Sequence, residues 1–321
     1  MYWAGRYLER TEATARLVKV HSELILDLPK NAGFGWSPLL AVTGTSQAFE
    51  EHHSEHIEED VIRFLTVDSN SSTSILNSLT AARYNFRLTR NVLPASAWEQ
   101  LNQLFLWVVQ SRTLSVDRRS RNGCMDRVIR DCQMLRGLLD GTMSHDEAYS
   151  FWVIGSLVER ADMTTRVLDV QAGVLSADAG HRSAGFETYS DLTWTTMLRS
   201  LSAEQMFRWT SKSEIASGSE ALRFLLCDPA FPRSVEHCLT QISRSLLELP
   251  RYEAAMLRCA DVQSKLVGTA FAALDATGLH LYMDELQVAI GDIHDAIADT
   301  FFVASALVNS SEKSKSLFAS A

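Results

Sequence analysis

Apolar residues recur at intervals of three and four along most of the chain. Four stretches show the pattern best: 73–92, 96–118, 146–175 and 279–306. That spacing puts the apolar side chains on one face of an α-helix. No stretch alternates apolar and polar positions as a half-buried strand would. The pattern therefore predicts an all-α fold. The six prolines, Pro29, Pro38, Pro94, Pro229, Pro232 and Pro250, each fall near an expected helix end. Gly and Ser gather in SADAGHRSAGFETYS (176–190), which reads as a loop or hinge, and SSEKSKSLFASA reads as a frayed tail.

The chain also matches itself. GRYLERTEATARL (5–17) aligns with GSLVERADMTTRV (155–167) at an offset of 150, sharing G-x-x-x-E-R-x-[ED]-x-T-x-R. RFLTVDSNSSTSI (63–75) aligns with RFLLCDPAFPRSV (223–235) at an offset of 160. Trp36-Ser-Pro-Leu-Leu resembles Trp194-Thr-Thr-Met-Leu in the same order. This predicts one helical unit duplicated, 1–145 and 146–321, forming two pseudo-symmetric helical bundles packed together.

A helix turns about 100° per residue. Gly5, Glu9, Glu12 and Arg16 then share one face, as do Gly155, Glu159, Asp162 and Arg166. Both helices are otherwise apolar nearly all round, which marks them as buried. Charges on a buried helix must be paired or reach a cavity. The glycines leave room for a second helix to approach. Arg10 and Arg160 follow the two glutamates, and Arg83, Arg87 and Arg90 form a basic stripe at i, i+4 and i+7. That stripe is the expected complement, with Arg83 and Arg87 meeting Glu9 and Glu159 inside the body. Such a network fixes helix register in one reading and lines a site for a phosphate or carboxylate in another. In the segments 63–75 and 223–235, Asp68 and Asp228 follow a helix end. Ser72 or Ser74, and Pro232 with Ser234, are expected to open the next helix.

Composition narrows the function classes. The 321 residues are 46% apolar and 21% charged, enough for a sizeable core. Lys and Arg number 30 and Asp and Glu 39, so the formal charge is −9. That balance argues against nucleic-acid or anionic-membrane binding. Five cysteines without a CxxC argue against a disulfide framework or structural zinc and fit a reducing, cytoplasmic setting. No apolar stretch approaches the length of a membrane span, and the charged start is unlike a signal peptide. The chain opens inside a helix, so a further turn or two is expected upstream.

Other constellations lead nowhere. EEHHSEHIEED (50–60) holds His52 and His56 four apart, but lacks the H-E-x-x-H order of a zinc protease. Neither G-x-x-x-x-G-K-[ST] nor G-x-G-x-x-G nor G-x-S-x-G occurs. No E-x-x-H accompanies the E-R motifs, so a di-iron bundle is not expected. No metal or cofactor is expected.

Together, YWAGRYLERTEATARL, FLTVD, ARYNFRLTRNVLPASAWEQLN, GTMSHDEAYSFWVIGSLVERADMTTRVL and DPAFPRS resemble the bacterial alpha-E family over residues 1 to about 305. The resemblance carries Glu9, Arg10 and Arg16 onto the first E-R helix of that family. It carries Glu159, Arg160, Asp162 and Arg166 onto the second, and Arg83, Asn85, Arg87, Arg90, Trp98 and Asn102 onto a middle Arg/Asn segment. Family members commonly have an acid where Tyr84 stands and an arginine where His145 stands. Alpha-E proteins are typically encoded beside, or fused to, a circularly permuted ATP-grasp protein, often with transglutaminase-like or proteasome-like peptidases. An ATP-grasp protein makes amide bonds through an acyl phosphate. The resemblance thus implies a helical partner of an amide ligase in peptide synthesis or tagging, not itself expected to be the enzyme. Two alternatives stay open: an enzyme using the buried Glu/Arg site in the same pathway, and a purely structural interaction module.

Overall fold

A computed structural model describes residues 1–28, 35–179, 186–211 and 218–303, and their side chains except those of 171–179, 186–191, 272, 276 and 303. The described residues are helical, without a strand. The α-helices are α1 (Tyr2–Asp27), α2 (Ser37–Thr43), α3 (Ser46–Glu50), α4 (Glu58–Thr66), α5 (Ile75–Leu88), α6 (Ala95–Gln110), α7 (Arg112–Val116) and α8 (Arg121–Thr142). They continue with α9 (Glu147–Ala179), α10 (Phe186–Ser200), α11 (Glu204–Ser211), α12 (Gly218–Cys227), α13 (Val235–Leu246), α14 (Glu253–Gly268) and α15 (Ala276–Ala298).

Two helices form the axis of the molecule. α1 and α9 lie side by side and run in the same direction. Tyr2 meets Gly155 and Gly5 meets Ser156, while further along Leu17 and Leu24 line one pocket with Val167 and Val170. α5 and α8 flank α1, and α13 and α15 flank α9. α6 joins α5 and α8, and α14 joins α13 and α15. α2 packs on α9, and α10 on α1. The apolar faces meet in a continuous core that includes Tyr2, Leu8, Val18, Phe86, Leu135, Trp152, Leu168, Ile242 and Ile290.

The helix-to-helix approach explains the glycines. A Cβ on Gly5 would stand 2.4 Å from the Trp152 carbonyl oxygen, and one on Gly155 would stand 2.0 Å from that of Tyr2. Both obstacles are backbone, so no rotamer change relieves them.

The helical expectations hold with local differences. The stretch 96–118 is divided at Ser111 into α6 and α7, and α5 stops at Leu88, followed by a single 3₁₀ turn, Arg90–Val92, before Pro94. α15 starts earlier than 279, because the Asp275 side chain accepts from the Gly278 amide at 2.7 Å and caps it. Its last turn loosens into a π-turn, Asp299–Val303. The loop expected over 176–190 is mostly helical. α9 continues to Ala179, with helix-forming Ala177 and Ala179 in its end, and α10 begins at Phe186. Residues 180–185 and the tail fall outside the described residues. The cap serines are Ser74 and Ser234, which accept from the amides of Asn77 and His237. No described helix is long and apolar enough to cross a membrane.

A reciprocal glutamate–arginine core between two parallel helices

The two E-R motifs face each other across the α1–α9 contact, and each glutamate takes the arginine of the other motif. Arg160 donates to Glu9 through Nε at 3.0 Å and Nη2 at 2.9 Å. Arg10 donates to Glu159 through Nε at 2.5 Å and Nη2 at 3.0 Å. Both pairs are two-pronged, the geometry that suits a guanidinium and a carboxylate. The second acid of each motif pairs one turn along its own helix: Arg16 with Glu12, and Arg166 with Asp162 at 2.9 Å.

Additional arginines complete the core. Glu9 also accepts from Arg136 of α8 and from Nη1 of Arg233 at 2.9 Å. Nη2 of Arg233 reaches Glu12 at 2.8 Å, so one guanidinium bridges both acids of the first motif. Glu159 has Arg6, whose Nε donates at 2.7 Å. Glu9, Glu12 and Glu159 are almost wholly shut from water. Burial alone would raise the carboxyl of Glu9, but Arg136, Arg160 and Arg233 outweigh it and hold it well below the usual range. Arg10 and Arg6 likewise outweigh burial at Glu159 and lower its carboxyl. Both glutamates are anions in the folded protein. Asp162 behaves differently: burial raises it, Arg166 lowers it less, and the charge of Glu159 raises it further.

The two sides of this core are not identical. On the Glu9 side, Arg233 fills the space between the acids. On the Glu159 side there is a cavity of about 200 Å³, bounded by Arg10, Thr14, Thr73, Glu159, Asp162 and Arg166 among others. The hydroxyls of Thr14 and Thr73 are buried against it without a hydrogen-bond partner.

The structure brings together most of the residues that the sequence singles out. Glu9, Arg10, Glu12, Arg16, Glu159, Arg160, Asp162 and Arg166 all join the core. Arg83, Arg87 and Arg90 do not, which corrects the expectation that Arg83 and Arg87 meet Glu9 and Glu159. α5 turns Leu79, Ala82 and Phe86 inward, leaving the arginines on its outer side. Arg83 donates to Asn102 Oδ1 at 2.7 Å and lies over the rings of Trp98 and Phe105. Arg90 lies over Trp98 and Arg87 over Tyr84. Their partners are aromatic π-faces of α5 and α6, not buried carboxylates.

Neither periodicity nor motif marks three arginines of the core: Arg6, Arg136 and Arg233. Arg233 carried a signal, being a charge in the second of two matched segments where the first has Thr73. Asp169, far in the sequence from His280 and Asp284, also comes together with them, with ligand atoms within 4.8 Å of one another on a largely exposed surface. His280 Nδ1 is 2.5 Å from Asp169, which raises the imidazole through that hydrogen bond and charge. His56 stacks on Phe49 and stands 3.4 Å from Glu50. All five cysteines are free thiols.

No curated protein and no solved structure matches the chain. A family model does, over residues 1–302: Alpha-E, described as a predicted alpha-helical domain with a conserved ER motif. The E-R pairs that exchange partners between α1 and α9 are that motif in three dimensions, and the chain belongs to the Alpha-E family.

Proposed function

We propose that this chain is a helical partner subunit of an ATP-grasp amide ligase, in a system that synthesises or tags peptides. The observation that carries this reading is the sequestration of both motif glutamates. Glu9 accepts from three arginines and Glu159 from two, and both stay ionised, so neither is free to deliver a proton. The strongest acid–arginine chemistry of the chain is spent on joining two helices. The middle Arg/Asn segment supports a role in docking. Arg87 and Arg90 are exposed beside Tyr84 and Leu88, a mixture of arginine and aromatic or apolar groups typical of binding surfaces. The buried free thiols suit a cytoplasmic protein.

The same reading takes the chain as one helical unit duplicated, residues 1–145 and 146–321. Parallel helix order supports it: α1 with α5 and α8 on one side, α9 with α13 and α15 on the other. So does the matched construction around Ser74 and Ser234. Peptidases of the transglutaminase-like or proteasome-like kind would act in the same system.

The test is ATP turnover by a cognate ATP-grasp protein, with amino acids and peptides present, with and without the chain. Stimulation or a new amide product is the expected result. No binding and no effect would refute the partnership. The cavity beside Asp162 favours a second reading, an enzyme acting at that site, since Asp162 lines it and burial raises its carboxyl above the ordinary value. Turnover of a peptide or acyl phosphate by this chain alone, lost in Asp162→Asn, would establish it.

A further inference from the structure

Two residues occupy the same local position on the two sides of the core. Thr73 and Arg233 each precede a cap serine. Ser74 Oγ donates to the Asp68 carbonyl and accepts from the Asn77 amide. Ser234 Oγ donates to the Asp228 carbonyl and accepts from the His237 amide. From this position Arg233 sends a guanidinium between Glu9 and Glu12, and its carbonyl accepts from Thr164 at 3.0 Å. Thr73 is too short to do this. The cavity lies in front of it, between Glu159 and Asp162.

We propose that this cavity binds a guanidinium group supplied by a ligand, held between Glu159 and Asp162 as Arg233 is held between Glu9 and Glu12. Acceptors are in place. Asp162 uses Oδ2 for Arg166, leaving Oδ1 as an acceptor. Thr14, only 1% exposed, and Thr73 present hydroxyl oxygens without partners. A third cation at Glu159 would bring it to the three arginines that Glu9 has. An anion fits worse: two carboxylates form the wall, and Arg10 and Arg166 already bind them through Nε. About 200 Å³ is room for a small charged group rather than a single water. Arg10 and Arg166 are the most exposed charged residues of the lining, so the cavity opens beside them. The ordinary sources of a guanidinium are free arginine or an amine derived from it, and the arginine side chain of a peptide. This inference stands apart from the ATP-grasp partnership, because it requires only the geometry of the cavity.

Titration calorimetry of the full chain with methylguanidinium, arginine, an arginine-containing tripeptide, citrulline and inorganic phosphate tests it. Saturable one-to-one binding of the guanidinium probes, with none of citrulline or phosphate, is the expected result. Asp162→Asn should weaken binding about tenfold or more, the loss of one charge-assisted hydrogen bond. Thr73→Arg should abolish binding while raising the melting temperature, because it places a guanidinium in the cavity from within the chain. A tripeptide tighter than free arginine assigns the source to a side chain, and the reverse assigns it to a free amine. No saturable heat from any guanidinium at millimolar concentration overturns the proposal. So does phosphate binding in place of guanidinium, or guanidinium binding left intact in folded Asp162→Asn.

Discussion

The carbonyl oxygen of Tyr2 stands where the side chain of any residue but glycine at 155 would begin. A Cβ there would be 2.0 Å from it, far inside contact distance. Gly155→Ala must therefore push α1 and α9 apart and lengthen the glutamate–arginine bonds that join the two helices. Its cost should reach the upper end of the ~1–3 kcal/mol typical of overpacking, or exceed it. Gly5→Ala should behave alike. Gly137→Ala is the control: a Cβ on this α8 residue meets nothing, and helix propensity should stabilise the variant by about 0.5–1 kcal/mol. Urea unfolding of the three variants would show whether the crossing is as tight as described.

Glu9→Gln leaves three buried or part-buried guanidiniums facing a neutral amide. Removing one member of a buried pair costs about 3–5 kcal/mol. The substitution should reach that range and exceed Glu159→Gln, where two arginines lose their anion. Equal stability of wild type and Glu9→Gln would mean that the network contributes nothing to holding α1 in place.

Stability should depend on pH in two stages. His21 and His294 are lowered from 6.5, chiefly by burial, so the unfolded chain takes up protons there first and they withdraw stability as pH falls below 6.5, while the exposed His280, raised by Asp169, offsets part of this loss. Glu9 and Glu159 lie below their ordinary 4.5. Their contribution is complete above that value and is lost as pH falls below it, through the folded values. Asp162 opposes this, because its raised carboxyl is protonated first in the folded state. Urea midpoints from pH 7 to pH 3 should steepen below 4.5 in wild type and be flatter there in Glu9→Gln.

Thiol reactivity should separate the five cysteines. Burial pushes Cys238 to about 12 and Cys259 to about 11, and raises Cys132 well above its ordinary value. Cys227 is only half-buried. In native protein at pH 8 a disulfide reagent should label Cys227 first, with all five reacting at similar rates in denaturant. Fast native labelling of Cys238 would contradict the closed core.

Arg87→Ala and Arg90→Ala should change stability by no more than about 0.5 kcal/mol, as exposed positions do. Arg160→Ala should be severely destabilised. If the partnership with an ATP-grasp protein holds, the two surface variants should fold normally yet stimulate the ligase less, separating docking from folding.

The helices were legible in the sequence because a 3.6-residue period is a local property. The shared face of Gly5, Glu9, Glu12 and Arg16 was legible for the same reason. What the period does not contain is which face turns inward when several residues share one. Arg83, Arg87 and Arg90 do lie together, but Ala82 and Phe86 settle the orientation of α5, and the arginines end up outside. Arg233 lies in a turn, where periodicity is silent, and it reaches the core only because Ser234 starts a helix beside Glu9. Its reach could be read from the comparison with Thr73, once the two cap serines were known to be built alike.

The partners of Glu9 come from positions 127, 151 and 224 residues further along the chain. A helix with so acidic a buried face cannot settle when it is made. At about 5–20 residues per second, the ribosome delivers Arg233 on the order of ten to forty-five seconds after Glu9. During that interval the first helix must stay hydrated or borrow another chain's charge. The most conspicuous sequence signature of the molecule is thus completed only after Arg233 has been made, and until then Glu9 depends on water for part of its charge balance.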